Sequence, residues 1–574
     1  MFTPLPQTSE AFERLSWAEI EPWYLELLDS PLSPETLQPW MTQWSDLSAL
    51  VDETMMHLDI ECTRNTADEE RPRRKQRFME EVYAPQQALD QQIKERLLES
   101  SLEPEGFALP LRNLRAEAAL YREENLPLLN EDTALSDEYF QIGGAQMVTW
   151  NGEDLPKTAV EHILFNPDRT QRERAWRAIT EREDEDQEKL DALWIKKMQL
   201  RQQIACNAGY ENYRDYRWRQ LLRFDYTPAD CQAFHAAVEQ VIVPAASQLW
   251  EKRRRLLGVE QLRPWDMRVD PWASETPRHI SDVDALLRQC IPVFHRIDPQ
   301  LGSYFETMLQ EQLFDLEERP NKADIGYNLP LEVRRRPFVF GHVNSMTEVV
   351  SEIFHEMGHA FHVFEMIPLP YIHQRKEGSV PIEFGEVAST SMEFIGAIHL
   401  SQAGLCTEQE AARLRLQHLE HVLTNYLPAI IIGDAFQHWM YDHPDQGRDP
   451  EQCGQTWAEL SQRYQPEIDW SGLERELASG WQGTPHFYCE PFYFIEYAFA
   501  ALGALQVWDN YLRDQETAIS QYRFALSLGA TRTVPQLYEA AGATFAFDAE
   551  MLQCVVQLIT RTVEELEAQS GVQP

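Results

Sequence analysis

From Asp168 to about Ala208 the chain contains neither proline nor glycine. A stretch so rich in charged and straight-chain residues predicts one long helix. Residues 67–100 are also charged and largely helix-forming, with a proline at 85. Ser33-Pro34-Glu35 predicts an N-cap with proline at the first helical position, opening a helix that runs to about Cys62. Strand signals are few. Gln146-Met147-Val148-Thr149-Trp150 runs into Asn151-Gly152, a hairpin turn signal. Residues 336–343 form a second candidate strand, and Pro337 near its start predicts an edge position. The expected fold class is therefore mainly α with a small β element. A chain of 574 residues exceeds one simple core. It is expected to comprise an N-terminal helical region over 1–160 and a second helical region over 161–574.

Composition narrows the function. The net charge is −42, from 93 acidic against 51 basic residues. Nucleic acid and anionic membrane surfaces would both repel such a chain. No apolar run approaches the roughly 20 residues that cross a bilayer, and Met1-Phe2-Thr3-Pro4-Leu5-Pro6 opens no signal sequence. The eight cysteines are scattered without a C-x-x-C pair. That excludes a zinc ribbon or thioredoxin-like motif and predicts free thiols in a reducing cytoplasm.

The chemistry centres on His355-Glu356-Met357-Gly358-His359, an H-E-x-x-H pattern. On a helix the two imidazoles lie one turn apart and can share one metal. Glu356 sits beside them, placed to contact a metal-activated water. Chance alone yields this pattern in such a chain on the order of a few per cent of the time, so context matters. Ser345-Met346-Thr347-Glu348 is a capping box that opens a helix here. Val350, Ile353, Phe354, Met357, Phe361 and Phe364 continue an apolar stripe, and Pro368 lies just past the expected end. Ionisable groups on a buried helix need partners, and a metal supplies one.

An open zinc site needs a third protein ligand. Glu365 stands where a metzincin places its third histidine, but Phe361 occupies the position where that pattern needs glycine. Downstream, Ser379 and Pro381 predict a helix carrying Glu383, Glu386 and Glu393. Glu386 and Glu393 are seven apart and share a face, so one could bind zinc while the other orients a histidine ring. Spacing alone does not separate Glu383 from Glu386.

These residues carry a resemblance to the thimet oligopeptidase and oligoendopeptidase F family of zinc peptidases, nearest to its bacterial oligoendopeptidase F branch. His355-Glu356-Met357-Gly358-His359-Ala360-Phe361-His362 is similar to its H-E-x-G-H-x-x-H core. Glu386-Val387-Ala388-Ser389-Thr390-Ser391-Met392-Glu393 resembles the segment whose first glutamate binds zinc, which selects Glu386 as ligand. Residues 321–327 and 337–340 resemble the stretch before the zinc helix, which in the family supplies a substrate-lining edge strand. Gly341-His342-Val343-Asn344 stands where the family has A-N-F-N. His486-Phe487-Tyr488 and 491–497 resemble its histidine-tyrosine segment. The similarity covers roughly residues 200–510.

The resemblance implies an ellipsoidal, mainly helical metallopeptidase with a deep central channel that admits short unfolded peptides. It implies one Zn²⁺ per chain, held by His355, His359 and Glu386, with Glu393 orienting a ligand ring. Glu356 is expected as general base and acid. His486, Tyr493 and above all Tyr497 are candidate donors to the oxyanion. Tyr488, Gly341 and His342 are candidate substrate contacts. Co²⁺ or Mn²⁺ fits the same ligands. The expected reaction is zinc-dependent hydrolysis of internal bonds in oligopeptides. A zinc carboxypeptidase is the alternative, with Arg334, Arg335 and Arg336 as candidates for the terminal carboxylate. A non-catalytic helical binding protein is a third reading, against which Glu356 argues, since a structural zinc site needs no general base.

Overall fold

The computed structural model describes residues 2–272, 280, 282–323, 325–376 and 378–570. Met1 and Asp324, both within segments read above, lie outside them. The chain is mainly α-helical and divides into two compact units, neither continuous in sequence. One comprises Met1–Ala119, Arg278–Thr407 and Gly503–Phe545; the other comprises Leu120–Pro277, Glu408–Leu502 and Ala546–Pro574. This division cuts across the expected boundary near residue 160. Long-range packing rather than chain order groups the helices. Among the described residues no helix is long and apolar enough to cross a membrane.

In the first unit the helix Leu37–Arg64 carries the core of the N-terminal segment. Trp40, Trp44, Leu47, Val51 and Leu58 recur at helical spacing and are buried with Phe12, Tyr24 and Phe107. Truncating Trp44 to alanine would cost about 3–5 kcal/mol. The helix starts at Leu37, later than Ser33. Ser33 instead closes a turn, its hydroxyl donating to Glu35 while its N–H donates to Thr36 Oγ1 at 2.9 Å. Residues 70–100 stay helical through Pro85 because a π-helical turn, Met79–Tyr83, precedes it. Proline has no N–H for the ladder, and the wider turn accommodates its ring.

The same unit holds a three-stranded sheet. Arg336–Phe340 lies in the middle, antiparallel to Tyr327–Leu331 and parallel to Phe314–Asp315. Arg336–Phe340 is therefore not an edge strand, contrary to expectation. Pro337 is tolerated because Phe314–Asp315 pairs only with Val339–Phe340, which leaves the proline's other flank outside the ladder.

The second unit contains the hairpin Met147–Trp150 and Glu153–Pro156, closed by Asn151 (φ 54°) and Gly152 (φ 89°). Both turn residues take left-handed φ, as asparagine and glycine allow. The expected long helix is two helices, Arg169–Asp184 and Gln187–Asn207. The break falls at Asp186, whose buried carboxylate accepts from Arg182 at 2.7 Å, Lys189 at 2.6 Å and Gln146 at 3.3 Å. Tertiary bonding to one side chain overrides local helix preference there.

Candidate active site

The capping box at the motif helix is formed. Ser345 Oγ accepts the Glu348 N–H at 3.4 Å, and Glu348 Oε2 accepts the N–H groups of Ser345 and Asn344 at 3.1 and 2.6 Å. One π-helical turn, Val349–Phe354, then leads into the α-helix His355–Met366. His355 and His359 project from the same face, ring centroids 5.1 Å apart.

The helix Ile382–Ile398 crosses directly beneath. Its approach depends on Gly358. A Cβ there would lie 2.4 Å from both Ala388 O and Ser389 Cα. Tyr522 and Tyr538 hydroxyls donate to the carbonyls of Ala388 (2.8 Å) and Glu383 (3.2 Å), fixing the second helix in place. Asn328 Nδ2 donates to Glu356 O at 3.2 Å, tying the sheet to the motif.

This packing brings three ligand-type groups together. Glu386 Oε2 lies 3.5 Å from His355 Nε2 and 3.6 Å from His359 Nε2. Those separations exceed an ordinary N–H···O bond. They approach the roughly 3.3–3.4 Å expected between ligand atoms around a tetrahedral zinc. Ser389 Oγ donates to Glu386 Oε2 at 2.9 Å. This oriented contact escaped the sequence reading; its only signal was the i, i+3 spacing from Glu386. His355 Nδ1 lies 2.7 Å from Glu393 Oε1, so Nδ1–H donates there and Nε2 is the nitrogen that faces Glu386.

The electrostatics fit a cation. Burial lowers the His355 pKa, but Glu393 overcomes this and holds it up at about 10. Burial pushes His359 down to about 4. Burial pushes the Glu356 carboxyl up to about 8, against the pull of His355. Glu393, Glu386 and Glu356 act on His355, and Glu386 and Glu393 on His359, so the two imidazoles sit in a carboxylate-rich surround suited to a divalent ion. Glu356 Oε2 is buried and has no hydrogen-bond partner. The donor set therefore fits a zinc ion.

Other candidates fall elsewhere. Glu365 Oε1 accepts from Arg523 Nε at 2.7 Å. His362 is buried against Phe384, and burial pushes its pKa down to about 3. Gly341 donates its N–H to Asp315 O at 3.0 Å, and its carbonyl accepts from Lys322 Nζ at 2.6 Å. His342 Nε2 donates to Ala323 O at 2.8 Å. The Gly341 N–H and carbonyl and His342 Nε2 thus each have a partner within the protein.

His486, Tyr493 and Tyr497 belong to the second unit and cluster there. His486 lies 5.9 Å from Tyr493 and 6.0 Å from Tyr497, and the tyrosine rings are 4.9 Å apart. Burial lowers the His486 pKa. The helix Phe494–Arg513 begins just after Phe492, which takes a left-handed φ of 67°. Its N–H donates to Gln437 Oε1 at 3.0 Å and its carbonyl accepts from Arg223. Tyr488 is 0% exposed, stacked on Tyr139 and Trp481. It is a core residue of its unit.

The sequence model of peptidase family M3 matches residues 163–556. The chain belongs to peptidase family M3. No curated protein matches it in sequence. Among solved structures, this M3 peptidase is similar to PZ peptidase A with an inhibitor, at 24% identity and a TM-score of 0.87 over 99% of both chains. It is similar to a protein provisionally described as oligoendopeptidase F, at 24% identity and TM-score 0.88 over 98% of this chain and 99% of the other. A provisionally described oligoendopeptidase F from Bacillus anthracis matches at 22% identity and TM-score 0.84 over 97% of both. These likenesses establish the mainly helical fold that the M3 peptidase shares with them. Its substrates are peptides.

Proposed function

We propose that this M3 peptidase is a zinc-dependent endopeptidase that hydrolyses internal bonds of short unfolded oligopeptides. One observation carries the reading. His355 and His359 share a helix with Glu356, a buried carboxylate oxygen of which has no hydrogen-bond partner among the described residues, and Glu386 on the helix Ile382–Ile398 completes a two-histidine, one-carboxylate cluster. His355, His359 and Glu386 would hold the ion. When bound, zinc supplies Lewis acidity that activates a water and polarises the scissile carbonyl. Glu356 takes the water's proton and returns it to the leaving amine. Glu393 holds the His355 ring in the ligating tautomer. By the resemblance, Tyr497, His486 and Tyr493 are the proposed donors to the oxyanion of the tetrahedral intermediate. A lowered pKa keeps His486 neutral near pH 7, with one N–H to give. Eight cysteines without a disulfide among them fit a reducing cytoplasm.

A carboxypeptidase would need a cation for the substrate's terminal carboxylate. Arg336 is engaged by Glu311 at 2.8 and 3.0 Å, and Arg335 by the carbonyls of Ile367 and Leu369 at 3.4 Å. Their engagement counts against Arg335 and Arg336 in that role. An internally quenched peptide blocked at both termini separates the two readings. Cleavage of the blocked peptide supports the proposal; hydrolysis confined to peptides with a free C-terminus sinks it.

A further inference from the structure

A second cluster of ligand-type side chains lies in the other unit, outside everything assigned above. Two helices build it, Pro228–Leu257 and Leu427–Asp442. Each contributes an i, i+4 pair, so both members of each pair project one turn apart on one face. The first pair is Cys231 and His235; the second is Asp434 and His438. All four are at least nine-tenths buried, at 0, 7, 0 and 3% exposure. Ligand atoms of Cys231, Asp434 and His438 all fall within 4.8 Å of one another.

The hydrogen bonding is incomplete in a telling way. His235 Nε2 lies 2.8 Å from Asp434 Oδ2, an ordinary bond. His438 Nε2 lies 3.4 Å from that same oxygen. Among the described residues, neither ring nitrogen of His438 has a hydrogen-bond partner, and neither does Asp434 Oδ1. The imidazole sits among Trp218 and Phe492, whose ring centroids are 5.9 and 5.3 Å away. Buried polar atoms left unbonded are costly. The 3.4 Å separation also matches the nitrogen-to-carboxylate spacing of the catalytic cluster, 3.5 and 3.6 Å.

We infer that this cluster is a second metal site, binding one zinc or similar thiophilic divalent cation through Cys231 Sγ, a carboxylate oxygen of Asp434 and a ring nitrogen of His438. His235 is a positioning residue that holds the Asp434 carboxylate. The mixed S, N, O donor set selects such an ion. Binding forms the metal–sulfur bond and releases the Cys231 thiol proton to solvent. The thiolate and carboxylate then carry two negative charges, which a divalent cation neutralises in a site walled from water. A site buried within one unit serves stability, by cross-linking two helices far apart in sequence. The chain would hold two ions, where the resemblance implied one.

The catalytic set contains no sulfur, so sulfur ligation reports on this site alone. The test titrates metal-free full-length protein with Co²⁺, counting bound ions and following the thiolate-to-cobalt charge-transfer absorption in the near ultraviolet. The wild type should bind two ions per chain and develop the band. His355→Ala/His359→Ala should keep one ion and the full band. Cys231→Ser should lose the band and one ion, and His438→Asn should weaken binding at that site at least tenfold. A single ion with no thiolate band in the wild type overturns the inference, as does a band that persists in Cys231→Ser. Should Cys231→Ser fail to fold, zinc X-ray absorption of the wild type decides. One sulfur at about 2.3 Å shared over two zinc ions supports the site; no sulfur scatterer overturns it. Either failure leaves the catalytic reading untouched, since the double variant probes that centre separately.

Discussion

His355 Nδ1 donates to Glu393 Oε1 at 2.7 Å while its Nε2 faces Glu386 Oε2 at 3.5 Å. One carboxylate fixes the ring's tautomer and the other completes the ligand cluster on its far side. A carboxylate behind a ligating imidazole raises its basicity and holds its orientation. Glu393→Gln should therefore lower zinc affinity about 10- to 100-fold. Chelator competition measures this directly. An unchanged affinity would mean that Glu393 does not support the ligand.

Gly358→Ala should destabilise the first unit by about 1–3 kcal/mol, the usual range for overpacking. Its Cβ would meet Ala388 O and Ser389 Cα, both backbone atoms that cannot rotate away. The helices must separate, which also moves Glu386 from the two histidines. Thermal unfolding and metal content should fall together.

Asp315 provides a pH test remote from the metal ligands. Burial would raise its pKa, but hydrogen bonds from Arg319 and Lys322 outweigh this and hold it at about 2. The folded value lies below the unfolded one, so the stabilisation is full above the unfolded pKa and is lost as pH falls toward about 2. It is worth about 2 kcal/mol at neutral pH. Asp315→Asn should lower the thermal midpoint clearly at pH 6, and the gap to wild type should narrow by pH 3. A gap independent of pH would contradict the ion-pair account.

Tyr488 and Tyr497 should behave oppositely. Tyr488→Phe removes only a 3.5 Å bond to Leu190 O inside the core, so KM and kcat should stay near wild type. Tyr497→Phe should reduce kcat by about 10²–10³ with KM little changed, the effect of losing one oxyanion donor. Steady-state kinetics on one peptide distinguishes them.

The motif helix was legible because its signals are local. The capping box, the i, i+4 histidines and the terminal proline all act within two dozen residues. The hairpin at Asn151-Gly152 was legible for the same reason. The break at Asp186 was not, since its causes include Gln146, 40 residues away. The central position of Arg336–Phe340 depends on a two-residue parallel partner that no periodicity announces. The burial of Tyr488 by Tyr139 and Trp481 is likewise a tertiary fact. Cys231-x-x-x-His235 and Asp434-x-x-x-His438 are each unremarkable in sequence. Only the packing of their helices turns them into a cluster.

The central claim is that Glu356 transfers the proton at a zinc site formed by His355, His359 and Glu386. The direct test compares wild type with Glu356→Gln on an internally quenched peptide blocked at both termini, with metal content measured for both. The account predicts wild-type cleavage and a loss of about 10²–10⁴ in kcat in a variant that retains its metal. Undiminished cleavage by metal-loaded Glu356→Gln would contradict it.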